Sequence, residues 1–248
     1  MQFSSSYFFL IILIFGLLNE SISIEWNCNN NTNTGNFTLS NDCVVSGNNH
    51  VIINDTLEIT GVNKDMDKLV TITAATSKRH FYINNNVNNK LILRYIRLAG
   101  ANFHTQCGYS SGGSIYAYKG SVSLYSSIIF NNTITRPSSC KYTDGCGCST
   151  KGGAIYIGSW PNGYNMPIKG LLNISNSFII NNSVGGGGGG VYGDYATINI
   201  KNSKIEGNNA GSGGGIYMSN SNRLVIEDSS ISNNKASSSG GGVFFVPS

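Results

Sequence analysis

Four times in the C-terminal half of the chain, an apolar–polar–apolar step is followed by a small polar pair, a lone Ile and, three positions on, an Asn. The steps are Val122/Leu124, Leu172/Ile174, Ile198/Ile200 and Leu224/Ile226. The lone residues are Ile129, Ile179, Ile205 and Ile231, and the closing ones Asn132, Asn182, Asn208 and Asn234. Ile174, Ile200 and Ile226 stand 26 residues apart. Leu124 precedes Ile174 by 50, so that unit carries insertions around Pro137–Thr150 and Trp160–Pro167. A second element interleaves: a Gly pair, a spacer, then Ile or Val and an aromatic residue. It ends in Ile115-Tyr116, Ile155-Tyr156, Val191-Tyr192, Ile216-Tyr217 and Val243-Phe244.

Alternation at period two places one side of each segment in a core, as strands do; a helix would need apolar spacings of three and four, and none is sustained. Each repeat then supplies three short strands separated by corners. Strands this short bury a face only by stacking on their equivalents in the next repeat. The fold expected is all-β: a right-handed parallel β-helix, a solenoid of roughly eight to nine rungs with three strands each. The closing Asn should stack in one corner, amide on amide, and the Gly pairs should fill another that needs positive φ.

Upstream, Leu91–Leu98, Leu57/Ile59 and Val70/Ile72 look like degenerate copies, which extends the coil to about residue 36. Residues 24–36, with Trp26 and Cys28, are read as an N-terminal cap, and 24–248 as one domain. Gly240–Ser248 begins a fresh rung and stops, so the last rung is unfinished. Its edge, Val243, Phe244 and Phe245, is expected to pair with another copy unless it continues into a longer array.

The first residues address the compartment. Phe8–Leu18 is an apolar run too short to span a bilayer, and Ser21 and Ser23 suit a cut before Ile24. Residues 1–23 thus read as a signal peptide and the product as secreted or cell-surface, with no membrane span after cleavage. In that compartment the Cys set (28, 43, 107, 140, 146 and 148) reads as disulfides. The Asn-x-Ser/Thr triplets at Asn30, Asn36, Asn54, Asn131, Asn173 and Asn181 read as glycosylation sites.

Charged residues are only 11% of the chain, and the net charge of +4 is scattered. No basic stripe with interleaved aromatics points to nucleic acid. Lys78-Arg79-His80 reads as a solvated turn, and His50, His80 and His104 as separate surface residues. Acids are scattered too; the only tight pairs are Asp65/Asp67 and Glu227/Asp228, whereas glycoside hydrolysis needs convergent carboxylates. No metal or cofactor set is visible. Gly108–Gly112 and Gly185–Gly190 mimic hydrolase-elbow and dinucleotide patterns, but neither opens a helix, and both read as turns.

Gly152-Gly153-Ala154-Ile155 and Phe178-Ile-Ile-Asn181 resemble the polymorphic outer membrane protein repeat of bacterial autotransporter passengers. Other copies depart from it, with Gly-Gly-Ser-Ile or Gly-Gly-Gly-Val, and Ile or Lys where Phe would stand. The resemblance implies a pectin-lyase-like β-helix in a surface-exposed, adhesive protein; the scattered acids make a non-catalytic role the expectation, with a cell-surface glycan or protein as partner. The alternative is a polysaccharide lyase or glycoside hydrolase on the same coil. The recurring aromatics (Tyr116, Tyr156, Tyr192, Tyr217 and Phe244) point outward by alternation. There they either stack on one another or present a binding ladder.

Cys28 and Cys43 flank the cap and should pair. Stacked loops lie about 4.8 Å apart, so Cys107 should join Cys140, Cys146 or Cys148, the other two pairing together. Non-reducing peptide mapping checks this: free thiols, or Cys28 linked to the Cys140–Cys148 loop, would refute the pattern.

Overall fold

The computed structural model describes residues 24–28, 33–46, 50–83, 86–103, 110–135, 149–159, 170–220 and 223–246. Residues 1–23, Asn30, His104, Cys107, Cys140, Cys146 and Cys148 lie outside them. The chain is an all-parallel β-helix. Its first sheet contains Gly35–Leu39, Thr56–Gly61, Lys90–Arg94, Ser121–Tyr125, Gly170–Ser175, Ala196–Lys201 and Arg223–Glu227. The second runs from Cys43–Val45 through Val70–Ala74, Ile96–Ala99, Ile128–Phe130, Phe178–Ile180 and Lys204–Glu206 to Ser230–Ser232. The third runs from Val51–Ile53 through Phe81–Ile83, Ile115–Tyr118, Ile155–Gly158, Val191–Asp194 and Ile216–Ser219 to Val243–Val246.

Each of these sheets is 7-stranded, so the described coil has seven turns where eight or nine were expected. Leu124 pairs directly with Ile174 and Ile174 with Ile200. The long turn therefore counts as a single rung. Inward positions form one continuous core, including Leu57, Leu91, Val122, Leu172 and Ile198 at 0% exposure.

A fourth, 5-stranded sheet was not anticipated: Asn102–Phe103, Thr133–Ile134, Ser183–Val184, Asn209–Ser212 and Lys235–Ser239. It forms an arm between the second and third sheets. Ile134, Val184 and Ala210 give it a small core of its own.

The corners explain the repeat's polar letters. Between the first and second sheets, Ser126, Asn176, Asn202 and Asp228 turn at φ 46 to 48°. The following Ser satisfies the turn: Ser177 Oγ accepts from Ser127 N–H (3.0 Å) and donates to Ser175 O (2.7 Å), and Ser203 repeats this toward Ser177. After the second sheet Asn131, Asn181 and Asn233 turn at φ 55° and the next Asn goes inward. Asn182 Oδ1 accepts both the backbone N–H (2.9 Å) and Nδ2 (3.0 Å) of Asn132. Asn182 Nδ2 donates to the Ile129 and Ile180 carbonyls, both at 3.1 Å. Asn208 accepts the same pair from Asn182, and Asn234 from Asn208. At the third corner Gly112, Gly152, Gly188, Gly213 and Gly240 have φ 60 to 71°. A Cβ on Gly113, Gly153, Gly189 or Gly214 would press on the neighbouring turn; at Gly153 it would overlap the Gly189 carbonyl.

At the N-terminal end Cys28 is bonded to Cys43, and Glu25 bridges to Thr38. The Glu25 carboxylate accepts from Ser40 N–H (2.7 Å) and Oγ (2.9 Å), and Trp26 is buried 6.1 Å from the Phe81 ring. At the last turn the core-facing Ile226, Val243 and Phe245 are exposed. Among the described residues no helix is long and apolar enough to cross a membrane.

Replacing Asn182 by Ala would leave the buried Asn132 N–H without its acceptor and take one bond each from Asn132 Nδ2 and the Ile129 and Ile180 carbonyls, a loss of about 1–3 kcal/mol. Asn234→Ala, in the half-buried last turn, should cost visibly less. Urea melts of both variants check the ranking; equal, small losses would show that the ladder contributes little.

Candidate functional site

The tyrosines come together. Tyr82–Tyr116, Tyr116–Tyr156, Tyr156–Tyr192 and Tyr192–Tyr217 stack with centroids 5.1, 5.0, 5.7 and 4.7 Å apart and planes within 16°. Phe244 ends the column tilted at 51°. The in-register pairing of the third sheet compels this, since equivalent residues recur at one strand spacing. Each inner ring has its faces covered by its neighbours, and only edges and hydroxyls remain. Of the two readings open for these aromatics, the column takes the stacked one, and its edges and hydroxyls are what it offers outward.

The fourth sheet covers the column further. Gly187 bridges Lys151 and Ser212 in the arm. A Cβ on Gly187 would come within 2.9 Å of both the Tyr192 and Tyr217 rings, so only glycine lets the arm lie so close. Tyr156 and Tyr192 are buried, and Tyr116 and Tyr217 half-buried. Burial, reinforced by Tyr82 and opposed by Arg79, pushes the Tyr116 hydroxyl up to about 12. Burial followed by the Asp194 carboxylate raises Tyr156 and Tyr192 further, with a hydrogen bond to Ser219 opposing at Tyr192. These phenols stay protonated at any physiological pH.

Between column and arm lies a cleft of about 240 Å³, bordered by Lys151, Gly187, Tyr192, Ser212 and Tyr217 among others. Lys151 Nζ stands 4.8 Å from the Tyr192 centroid and 3.6 Å from the buried Asp194 Oδ2. Lys151 thus joins this phenol-lined cleft to the buried Asp194 carboxylate, which does not itself border it. The cleft can take a small polar ligand by hydrogen bonding. Among the described residues no group of three or more His, Cys, Asp or Glu could hold a metal ion.

The reading of Lys78-Arg79-His80 as a solvated turn is corrected. Arg79 is 5% exposed and His80 0%. His80 stands in the corner where later turns have Ser114, Ala154 and Gly190, with Nδ1 2.8 Å from Ser114 Oγ. Arg79 lies over the Phe103 ring (3.8 Å), with Tyr116 and Tyr82 at 5.1 and 5.9 Å. Among the described residues its Nε and Nη1 have no hydrogen-bond partner, and the ring faces stand in for one. Burial pulls Arg79 down to about 10, partly offset by Tyr116 and Tyr82, and it remains charged. His50 is half-buried against Tyr82 at 5.1 Å. Tyr82 and this cluster escaped sequence reading because their turn lacks the Gly pair; the aligned aromatic after Phe81 was the available signal.

Of the sequons, Asn36, Asn54, Asn131 and Asn181 are exposed. The Asn173 amide is engaged: it accepts from Asn199 Nδ2 (2.9 Å) and donates to Ser123 Oγ (3.4 Å). Glu206 and Glu227 stay apart, Glu206 beside Ser232 and Glu227 beside Lys201. Asp65 is used locally by Asp67 N–H and Lys68.

The fold thus defines the chain as a parallel β-helix with a covered aromatic column. Compared with known protein families, curated proteins and solved structures, it matches none.

Burial holds His80 down to about 4, the Ile72 and Ala99 carbonyls offsetting only part of this. Its ordinary value of 6.5 applies when unfolded, so the unfolded chain binds the extra proton. Stability from this group is complete above pH 6.5 and falls by about 3 kcal/mol as pH drops to 4. Melting wild type and His80→Gln across that range checks it: the variant should lose less stability on acidification. Parallel curves would place the acid sensitivity elsewhere.

Proposed function

We propose that the chain is a secreted or cell-surface repeat protein, a non-catalytic β-helix for adhesion or display of the polymorphic outer membrane protein type. The observation that carries this reading is the use of the coil's polar and aromatic groups against each other. Asn132, Asn182 and Asn208 are fully buried in one hydrogen-bonded ladder, and the tyrosines cover their own faces. What such a coil offers outward is its sheet faces and loops, suited to a cell-surface glycan or protein. Export through a signal peptide over residues 1–23 and glycans on the exposed sequons belong to the same reading. The polysaccharide lyase or glycoside hydrolase alternative would centre on the cleft with Lys151 and Tyr192 and on the Asp194 carboxylate 3.6 Å from Lys151 Nζ.

Incubating the purified protein with pectin, alginate and glucan panels should release neither unsaturated nor reducing ends. Release that disappears in Asp194→Asn would overturn the proposal and establish the enzyme.

A further inference from the structure

The outer face of the second sheet departs from the polar exterior around it. Two columns of outward residues run up it: Arg97, Ile128, Phe178 and Lys204, and beside them Ala99, Phe130, Ile180 and Glu206. In the first sheet the central outward column carries Ser123, Asn173 and Asn199 at the same turns. Here the two middle turns are wholly apolar, Phe130 is 38% exposed, and a shallow depression of about 540 Å³ opens over Ala99, Ile128, Phe130 and Ile180. Charged residues close it at both ends. Arg97, its Nη2 3.4 Å from Met66 O, stands at one; Lys204 and Glu206 stand at the other. An apolar centre with a charged rim has the anatomy of an interface.

We propose that two copies of this chain pack face to face through the second sheet, about a two-fold axis parallel to the coil. That operation keeps each turn level and exchanges the two columns. Lys204 of each copy then meets Glu206 of the other, Ile128 meets Phe130, and Phe178 meets Ile180, a self-complementary patch as a two-fold interface requires. The other aligned two-fold, along the strands, keeps columns and reverses turns. It would set Arg97 against Lys204, like against like. The charges therefore select one arrangement of the two.

Lys204 and Glu206 point outward, and Glu206 has one further bond, accepting from Asn233 Nδ2 at 2.9 Å. Their exchange leaves the core untouched. Sedimentation velocity of the full secreted chain over a concentration series should show a reversible dimer. Lys204→Glu should weaken it at least about tenfold by setting carboxylates face to face. Adding Glu206→Lys to the same chain should restore it, and Ile180→Asp should abolish it with the circular dichroism spectrum unchanged. A wild-type chain that stays monomeric, including one whose Asn131 or Asn181 glycans cover the patch, would overturn the proposal. So would association indifferent to these changes and lost only on Val243→Asp or Phe245→Lys, which would assign it to the terminal turn.

Discussion

A corner of this coil cannot be completed by its own residues. The chain turns through a left-handed residue, and the N–H that follows is buried without a local acceptor. The acceptor is the side chain of the equivalent residue one turn on: Ser177 for Ser127, Asn182 for Asn132. A buried donor left unmet is far more costly than a formed bond is favourable. Each turn therefore depends on its neighbour for more than apolar contact, and the parallel register, with equivalent residues directly superposed, follows from the corners as much as from the strands. Stability in such a stack is shared between nearest neighbours.

The same superposition makes the aromatic column. Residues that recur in register at one strand spacing have no freedom to splay, so the tyrosines lie flat on one another at 4.7 to 5.7 Å. Their desolvation is then finished from outside, by a glycine-lined arm at Gly187 and by cations, Arg79 at one end and Lys151 further along. Asp194 holds Lys151 in that position and raises the neighbouring phenols.

The strands, their stacking, the Asn corner and the positive-φ glycines were legible in the sequence because each leaves a letter repeated at a fixed offset. The Ser ladder was visible as a letter without a purpose, since the bond it makes is to another turn. Strands of two residues, such as Ser183–Val184, are too short to show a period, so the arm was invisible and the tyrosines were left between stacking and a binding ladder. Arg79 and His80 were misplaced because charge in a turn-like triplet predicts exposure, whereas here aromatic faces and a Ser hydroxyl shelter them. Phe130 and Ile180 fell in slots where the repeat permits any residue, so their coincidence on one face emerged only from the register.

The turn that spans 50 residues closes at the same corners as those that span 26. The coil thus measures position by superposition and is indifferent to contour length. Lengthening an outer loop costs little, about 0.6 kcal/mol of closure entropy per doubling. Inserted loops are, by this physics, cassettes on a ruler graduated at about 4.8 Å per turn. They can diverge rapidly while the ruler itself is held still.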